Sequence, residues 1–300
     1  MSILVVGSVA LDTVETPFGD ASDVLGGSAA YFSLAASLFT DVKAVAVVGE
    51  DFDDSHLELL KSRGVDIKGI KKAPGETFRW HCKYGYDLGD PETLGTYLNV
   101  FEKFNPVIPE DYKDADCVFL ANIDPEIQLN LLQQVNNPRL IACDTMNYWI
   151  QNKPKELREV LNRINILIIN DSETRELTGE PRMMKAARAV LDMGPEILIV
   201  KRGEYGALMF SKKGIFWAPS YPLDEVIDPT GAGDSFAGGF MGHLVNENYP
   251  EMIGIKRSVV NGCVIASFTV EDFSVKRLAN LTQAEVGARF STFMNLSKFD

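Results

Sequence analysis

Cysteine and histidine are scarce in this chain, which limits the kinds of scaffold it can form. Among 300 residues there are four cysteines and three histidines. The cysteines lie far apart in the sequence: Cys82, Cys117, Cys143 and Cys263. Because there is no Cys-x-x-Cys pair and no His-x-x-x-His spacing, neither a disulfide framework nor a zinc site is predicted. We expect free thiols, as in a reducing cytosol.

Long hydrophobic runs and an excess of basic residues are also lacking. No stretch approaches 18 consecutive apolar residues, and the first apolar run, at residues 3–7, follows no basic leader. The sequence therefore predicts no membrane partner, and we expect a cytoplasmic protein. Lys and Arg number 29 against 42 Asp and Glu, for a net charge of −13. No nucleic-acid partner is expected, because binding to phosphate backbones depends on clustered Lys and Arg.

Short apolar runs recur along the chain and alternate with segments typical of helices. The runs occupy residues 3–7, 44–48, 117–121, 140–143, 166–169 and 197–200. Continuous runs of this length favour strands that are buried on both faces. Helical segments between them, such as residues 55–64, imply parallel strands joined by right-handed crossovers. The pattern predicts one α/β domain with a mostly parallel central sheet between two layers of helices.

One region breaks this pattern. Residues 77–84, which read TFRWHCKY, alternate between apolar and polar side chains, as expected of a half-exposed strand. Residues 96–104 are a candidate partner strand, and residues 14–19 are a further candidate. We predict a single domain over residues 1–300 with a small antiparallel β-lid, built from segments near 12–19 and 75–104, that can close over a ligand.

A glycine-rich turn, DPTGAGD at residues 228–234, precedes a segment with apolar residues at helical spacing from Phe236. A helix is therefore predicted to begin at or just before Asp234. The first N–H groups of a helix lack intrahelical acceptors and lie at the positive end of its dipole. The residues before Asp234 have little or no side chain to block an anion: Gly231, Ala232 and Gly233. The turn is a candidate anion hole.

The turn lacks the lysine of a P-loop, and no G-x-G-x-x-G or G-x-S-x-G motif is present, so these sites are not predicted. A carboxylate beside an anion hole suits a hydroxyl nucleophile, because Asp234 could take the proton while backbone N–H groups stabilise a transferring phosphoryl group. The alternative is that Asp234 only caps a helix and the glycines only form a turn. Asp144, which ends an apolar run, is expected on the ligand side of the sheet.

The segment DPTGAGDSFAGGF resembles the C-terminal signature of the ribokinase-like, or PfkB-type, carbohydrate kinases. Other features agree in order along nearly all of the chain: Asp12, the Gly26-Gly27 pair, residues 49–66, residues 170–173 and residues 201–208. The resemblance implies a ribokinase-like three-layer α/β/α sandwich with a mostly parallel central sheet and a small antiparallel β-lid. It also implies phosphorylation of an alcohol with ATP as co-substrate and Mg²⁺ as cofactor.

The resemblance assigns the phosphate half of the site residue by residue. Asp234 would be the catalytic base, and the backbone of residues 231–233 the anion hole. Asn170 and Glu173 match the family's N-x-x-E motif, in which Glu173 organises Mg²⁺ through water; a capped helix explains the same residues. Five residues would contact ATP, with Asn261 bordering the purine: Asn170, Arg202, Gly203, Gly206 and Asn261. Asp228 and Thr230 match a candidate monovalent-cation (K⁺) site.

The substrate half departs from the family pattern. The resemblance implies that Asp12, Gly26 and Gly27 bind substrate hydroxyls, but Tyr31 stands where sugar kinases of the family often have Asn. With Phe32, Trp80 and Tyr84, the Tyr31 ring could stack on a nucleoside base; packing within the lid and core explains the same rings. The leading hypothesis is a kinase for a small sugar. The alternatives are a nucleoside kinase and a non-catalytic nucleotide or sugar sensor, and a homodimer through the lid is an open prediction.

Overall fold

The computed structural model describes residues 1–247 and 249–296. Its strands are, in chain order, β1 (Ser2–Val6), β2 (Ala10–Thr16), β3 (Gly19–Gly26), β4 (Asp41–Val48), β5 (Val65–Lys72), β6 (Arg79–Lys83), β7 (Glu92–Tyr97), β8 (Cys117–Leu120), β9 (Leu140–Cys143), β10 (Ile166–Asn170), β11 (Ile197–Lys201), β12 (Ala207–Ser211) and β13 (Gly214–Ala218).

The helices are α1 (Ser28–Ala36), α2 (Asp54–Ser62), α3 (Pro125–Leu132), α4 (Asn147–Asn152), α5 (Pro154–Leu161), α6 (Asp171–Thr178), α7 (Met183–Leu191), α8 (Ala232–Leu244), α9 (Met252–Thr269), α10 (Lys276–Asn280) and α11 (Gln283–Leu296). Short 3-10 helices cover Asn99–Lys103, Glu110–Tyr112 and Gly203–Tyr205. In the described part of the chain, no helix has the length and apolar character needed to cross a membrane.

The central sheet is mostly parallel, as the alternating apolar runs predict. Its nine strands follow the order β13-β12-β11-β10-β9-β8-β1-β4-β5. All neighbours pair in parallel except β11 with β12 and β12 with β13, which pair antiparallel. The carboxyl ends of the parallel strands therefore meet at one edge, where ligands of open α/β sheets bind.

Helices cover both faces of this sheet, which confirms the predicted three-layer sandwich. Successive residues of β1 point to opposite sides: Ile3 and Val5 pack into a core with α1, α8 and α9. Leu4 and Val6 pack into a second core with α5 and α7. Because both faces are buried, the strands need apolar residues at every position.

The second sheet is the lid, whose four strands follow the order β3-β2-β6-β7. Its outer pairs, β3 with β2 and β6 with β7, are antiparallel, but the central pair, β2 with β6, is parallel. The parallel pair arises because β1 and β5 run in the same direction in the central sheet and each continues into a lid strand. The expectation of a small antiparallel sheet is met except at this central pair.

The predicted partner strand at residues 96–104 is shifted. The strand is Glu92–Tyr97, and residues Asn99–Lys103 form a 3-10 helix instead. The rings of Phe101 and Phe104 stack with centroids 5.1 Å apart and pack against the core beneath the central sheet. Because these two rings are buried in the main domain, the chain leaves the lid at this segment. The alternating sequence pattern alone did not predict this.

Candidate active site

The glycine-rich turn lies at the start of α8, as predicted. Gly231 is the N-cap residue and has φ +73°, a conformation that favours glycine. A Cβ atom on Gly231 would also overlap the ring of Tyr31. Asp234 lies in the first turn of α8. The turn is thus held against α1 by a contact that only glycine permits.

The free backbone donors of the turn differ by one residue from the predicted anion hole. The N–H of Ala232 donates to the carbonyl oxygen of Pro229 at 3.2 Å. Among the described residues, the N–H groups of Gly231, Gly233 and Asp234 have no acceptor. These three donors are the ones available to an anion, while Ala232 keeps the turn closed.

The Asp234 carboxyl faces a crowded set of charges at the carboxyl edge of the sheet. Although the residue keeps some exposed surface, loss of solvation raises its pKa to about 7, and the Asp144 carboxylate adds to the increase. The Lys201 ammonium acts in the opposite direction. Asp144 ends β9 as predicted, and its Oδ2 accepts a hydrogen bond from Lys201 Nζ at 3.1 Å.

Lys201 is the site residue that sequence reasoning missed. It ends β11, and a Cβ atom on Gly233 would lie 3.1 Å from its Nζ. The carboxylates of Asp144, Glu173 and Asp234 outweigh the cost of burial and raise its pKa. Its position after the apolar run at 197–200 was the available signal, because that run predicts a strand ending at the ligand edge.

Asn170 and Glu173 form the capping box that the alternative interpretation required. The Asn170 side chain accepts a hydrogen bond from the Glu173 N–H, and Glu173 Oε2 accepts one from the Asn170 N–H, both at 2.7 Å. Gly179 then ends α6 in the left-handed conformation. In the described chain Glu173 Oε1 has no hydrogen-bond partner. One carboxylate oxygen therefore caps the helix and the other remains available.

The free carboxylate oxygen of Glu173 fits Mg²⁺ bound through water. Burial raises the pKa of Glu173 to about 7; Lys201 lowers it and the Asp144 carboxylate raises it. Nothing in the described residues forms a group of three or more metal-ligating side chains. Mg²⁺ usually retains several waters and takes one or two carboxylates together with substrate phosphates, so a dedicated cage is not required.

The predicted substrate residues meet beside the turn. Asp12 on β2 lies so close to Gly26 that a Cβ atom there would overlap its carboxylate. Gly27, with φ +91°, is the N-cap of α1. Burial raises the pKa of Asp12 to about 7; a backbone hydrogen bond from Gly27 opposes this, and Asp228 and Asp234 add to it. Asp12 therefore shares one electrostatic environment with the turn.

The aromatic residues do not form a single stacking surface. Phe32 is fully buried and stacks on Phe119 with centroids 4.2 Å apart, so the expectation that Phe32 could stack on a substrate is wrong. Tyr31 is 2% exposed beneath Gly231. Tyr84 is buried and accepts a hydrogen bond from Thr230. Of the four predicted rings, Trp80 keeps the most exposed surface, because it lies on the lid.

Asp228 and Thr230 stabilise the turn directly. Asp228 Oδ1 accepts a hydrogen bond from the Thr230 N–H at 2.8 Å, and Oδ2 accepts one from the Ser274 N–H at 3.2 Å. Both carboxylate oxygens therefore bind backbone donors. In this arrangement Asp228 connects the turn to the segment that follows α9.

The predicted nucleotide residues fall into two places. Arg202, Gly203 and Gly206 follow β11 at the ligand edge; Gly206 has φ +82°, and a Cβ atom there would overlap the backbone after β13. Asn261 lies in the middle of α9, where it lines a cavity of about 630 Å³ with His243. A Cβ atom on Gly239, five residues beyond Asp234 along α8, would lie 3.2 Å from the carbonyl oxygen of Asn261, so this part of α9 packs against α8. A contact of Asn261 with the purine stays a prediction.

The chain folds as a three-layer sandwich with a lid, and it places a carboxylate beside the free donors of a helix N-terminus. This arrangement is that of a phosphotransferase that acts on an alcohol. Residues 3–280 match the pfkB family carbohydrate kinases, and the chain belongs to this family. It is therefore an ATP-dependent kinase, which confirms the enzyme class predicted from the sequence. The sensor alternative is not supported by this membership.

Relatives of known structure or function agree with this assignment. The chain is 33% identical to the cytidine kinase of Thermococcus kodakarensis over 249 residues, which cover 80% of this chain and 87% of that protein. The nucleoside kinase of Methanocaldococcus jannaschii superposes with a TM-score of 0.78 at 23% identity, covering 97% of this chain and 98% of that chain. The nucleoside kinase of Burkholderia thailandensis in complex with inosine gives 0.79 at 19% identity, covering 98% and 99%. The two solved structures support the fold alone.

Proposed function

We propose that the protein transfers the γ-phosphate of Mg·ATP to a sugar hydroxyl of a nucleoside. The juxtaposition of Asp12 and Asp234 beside the glycine turn supports a sugar hydroxyl as acceptor. Asp12 and Trp80 are directly paired in the parallel register of β2 and β6, so their side chains share one face of the lid. An aromatic ring beside the carboxylate that binds hydroxyls suits an acceptor that has both a sugar and a flat base.

In this mechanism Asp234 accepts the proton of the acceptor hydroxyl. The acceptor oxygen forms a bond to the γ-phosphorus while the bond from that phosphorus to the β–γ bridging oxygen breaks, and the electron pair leaves with ADP. The free N–H groups of Gly231 and Gly233 donate to the transferring phosphoryl group. Mg²⁺, bound through water by Glu173, would neutralise phosphate charge.

Several further roles belong to the same proposal. Arg202, Gly203 and Gly206 form the wall for the rest of the nucleotide, and Asn170 orients Glu173 through the capping box. Asn261 as a purine contact remains a prediction. A K⁺ ion near Asp228 and Thr230 belongs to the same proposal, since each Asp228 oxygen accepts one backbone hydrogen bond and keeps a second lone pair. We place the enzyme in the cytoplasm.

The first test measures ADP production with Mg·ATP against a panel of nucleosides, pentoses, hexoses and sugar phosphates. We expect turnover with a nucleoside, and Asp234→Asn should lower kcat by about 10²-fold or more while ATP affinity stays within a few-fold. Asp41→Asn is the matched control, because Asp41 is exposed at the first residue of β4, at the end of the strand away from the carboxyl edge where the site lies. Near-normal turnover of Asp234→Asn would remove Asp234 from the role of base.

A free sugar is the second candidate acceptor. Tyr31 is buried beneath the turn, so it cannot contribute stacking surface, and a small polyol would need only Asp12 and the Gly26-Gly27 turn. Turnover with a pentose or hexose but with no nucleoside would favour this candidate. Asp12→Ala should then raise the KM for whichever acceptor is used, and an unchanged KM would move the acceptor site elsewhere.

A further inference from the structure

Lys201 places a positive charge at the edge of the glycine turn, although the turn itself has no lysine. The Nζ of Lys201 lies beside Gly233 and donates one hydrogen bond, to Asp144. An ammonium group has three N–H donors. With one donor used in the described chain, two remain for a group that binds at the free N–H groups of the turn.

The register of the central sheet fixes this position. Lys201 pairs with Asn170 between β10 and β11, so its side chain emerges next to the N-x-x-E motif. The glycine turn also lies beside it, since a Cβ atom on Gly233 would be 3.1 Å from Nζ of Lys201. The ammonium is thus between the carboxylate that fits Mg²⁺ and the donors that fit the transferring phosphoryl group.

Charge balance alone explains only part of this arrangement. Burial opposes the charge of Lys201, but its ion pair with Asp144 at 3.1 Å and the more distant carboxylates of Glu173 and Asp234 keep it protonated. The Lys201 ammonium lies beside Gly233, and therefore next to the free N–H donors where an anion would bind. Burying a lysine costs free energy unless its charge is paired. We therefore expect Lys201 to be paired when a ligand is bound as well.

We propose that Lys201 donates from Nζ to a γ-phosphate oxygen of bound ATP and remains in contact with that group during transfer. This proposal rests on the proposed kinase function. Lys201 supplies, from the end of β11, the phosphate-binding ammonium that a P-loop carries within its own turn. The contact is specific to the γ-phosphate, so ADP does not use it.

The test compares the binding of Mg·ADP and of a non-hydrolysable Mg·ATP analogue to Lys201→Met. We expect the affinity for the analogue to fall about 10-fold or more, the scale of a lost charge-assisted hydrogen bond, and the affinity for ADP to stay within about 3-fold. The kcat should fall as well, and Lys201→Arg should restore part of the analogue affinity. Lys212→Met, in the exposed turn between β12 and β13, is the matched control.

Because Lys201→Met leaves the Asp144 carboxylate unpaired, the double variant Lys201→Met/Asp144→Asn removes that charge and keeps the test valid if the single variant unfolds. Equal losses for ADP and the analogue, or no loss for the analogue, would overturn the role of Lys201. These binding measurements need no acceptor. Failure of the proposed function appears separately, as a wild-type protein that prefers the analogue but phosphorylates no acceptor.

Discussion

At the scale of single residues, the site concentrates acidic groups in a place that disfavours their charge. Asp12, Glu173 and Asp234 each have a pKa raised to about 7, with burial as the first cause. A carboxyl with a raised pKa in the folded state binds its proton more tightly there than in the unfolded chain. Its ionisation therefore lowers the free energy of unfolding as the pH rises from about 4 towards 7. The same ionisation is required of a general base.

Asp234→Asn should therefore stabilise the protein without ligand while it lowers kcat by about 10²-fold or more. The amide has no charge to desolvate, so we expect the free energy of unfolding at pH 8 to rise by roughly 2 kcal/mol, below the limit set by 1.36 kcal/mol per pKa unit. The gain should become small near pH 4 and vanish below about pH 3, where the wild-type carboxyl is protonated in both states. Urea unfolding at pH 8 and pH 4 measures this, with Asp41→Asn as control. A variant less stable than wild type at pH 8 would contradict the raised pKa.

At the scale of elements, the position of α8 depends on close packing against two other helices. A Cβ atom on Gly238 would overlap the carbonyl oxygen of Phe32 in α1, and one on Gly242 would lie 2.9 Å from Ala36. On the opposite side, a Cβ atom on Gly239 would lie 2.7 Å from Ile265 in α9. The glycines disfavour a helix by themselves, but they let α8 approach both neighbours and fix the turn at its N-terminus.

Gly238→Ala should destabilise the protein by roughly 1–3 kcal/mol, the usual cost of overpacking a core. The control is Gly287→Ala on α11, where a Cβ atom meets nothing within 4 Å. That substitution should stabilise by roughly 0.5–1 kcal/mol, because alanine favours the helix. Urea unfolding of the two variants checks the contrast. Equal effects of the two substitutions would show that propensity, not packing, governs Gly238.

At the scale of the whole molecule, the lid connects to the main domain through charged and apolar contacts. Arg79 on β6 forms ion pairs with Asp51 of the main domain at 2.8 Å and with Asp23 on β3 at 3.1 Å. The outer strand β7 is an edge, and Leu94 and Tyr97 on it are 44% and 59% exposed. An exposed edge with large apolar side chains favours pairing with a second chain.

A homodimer through the lid is the expected assembly. One chain has a mass of 33.1 kDa, and sedimentation of the wild-type protein should give about twice that value. Leu94→Glu together with Tyr97→Glu should shift the protein to the monomer, since like charges would face each other across the pair. Ile215→Glu, at an exposed position of β13, is the control. A wild-type monomer at all concentrations would contradict the assembly.

The sequence by itself determined the layered architecture and the position of the glycine turn at the start of a helix. Apolar runs such as 3–7 and 197–200 leave no polar face for a strand, so only a sheet covered on both sides can bury them. The small residues before Asp234 likewise specify a helix N-terminus open to an anion. These are local properties, and a single stretch of chain carries each of them.

Only the tertiary structure decided which distant groups share the site. Lys201 lies beside Gly233 because β11 ends next to α8. No local sequence pattern predicts that these two residues are close. Phe32 and Tyr31 are neighbours in the sequence, yet one packs on the sheet and the other lies under the turn, because adjacent helical residues point about 100° apart. The parallel pair within the lid follows from the common direction of β1 and β5. Strand pairing, the burial of side chains and the charges around the site depend on how the helices and strands pack together. No short stretch of sequence specifies that packing.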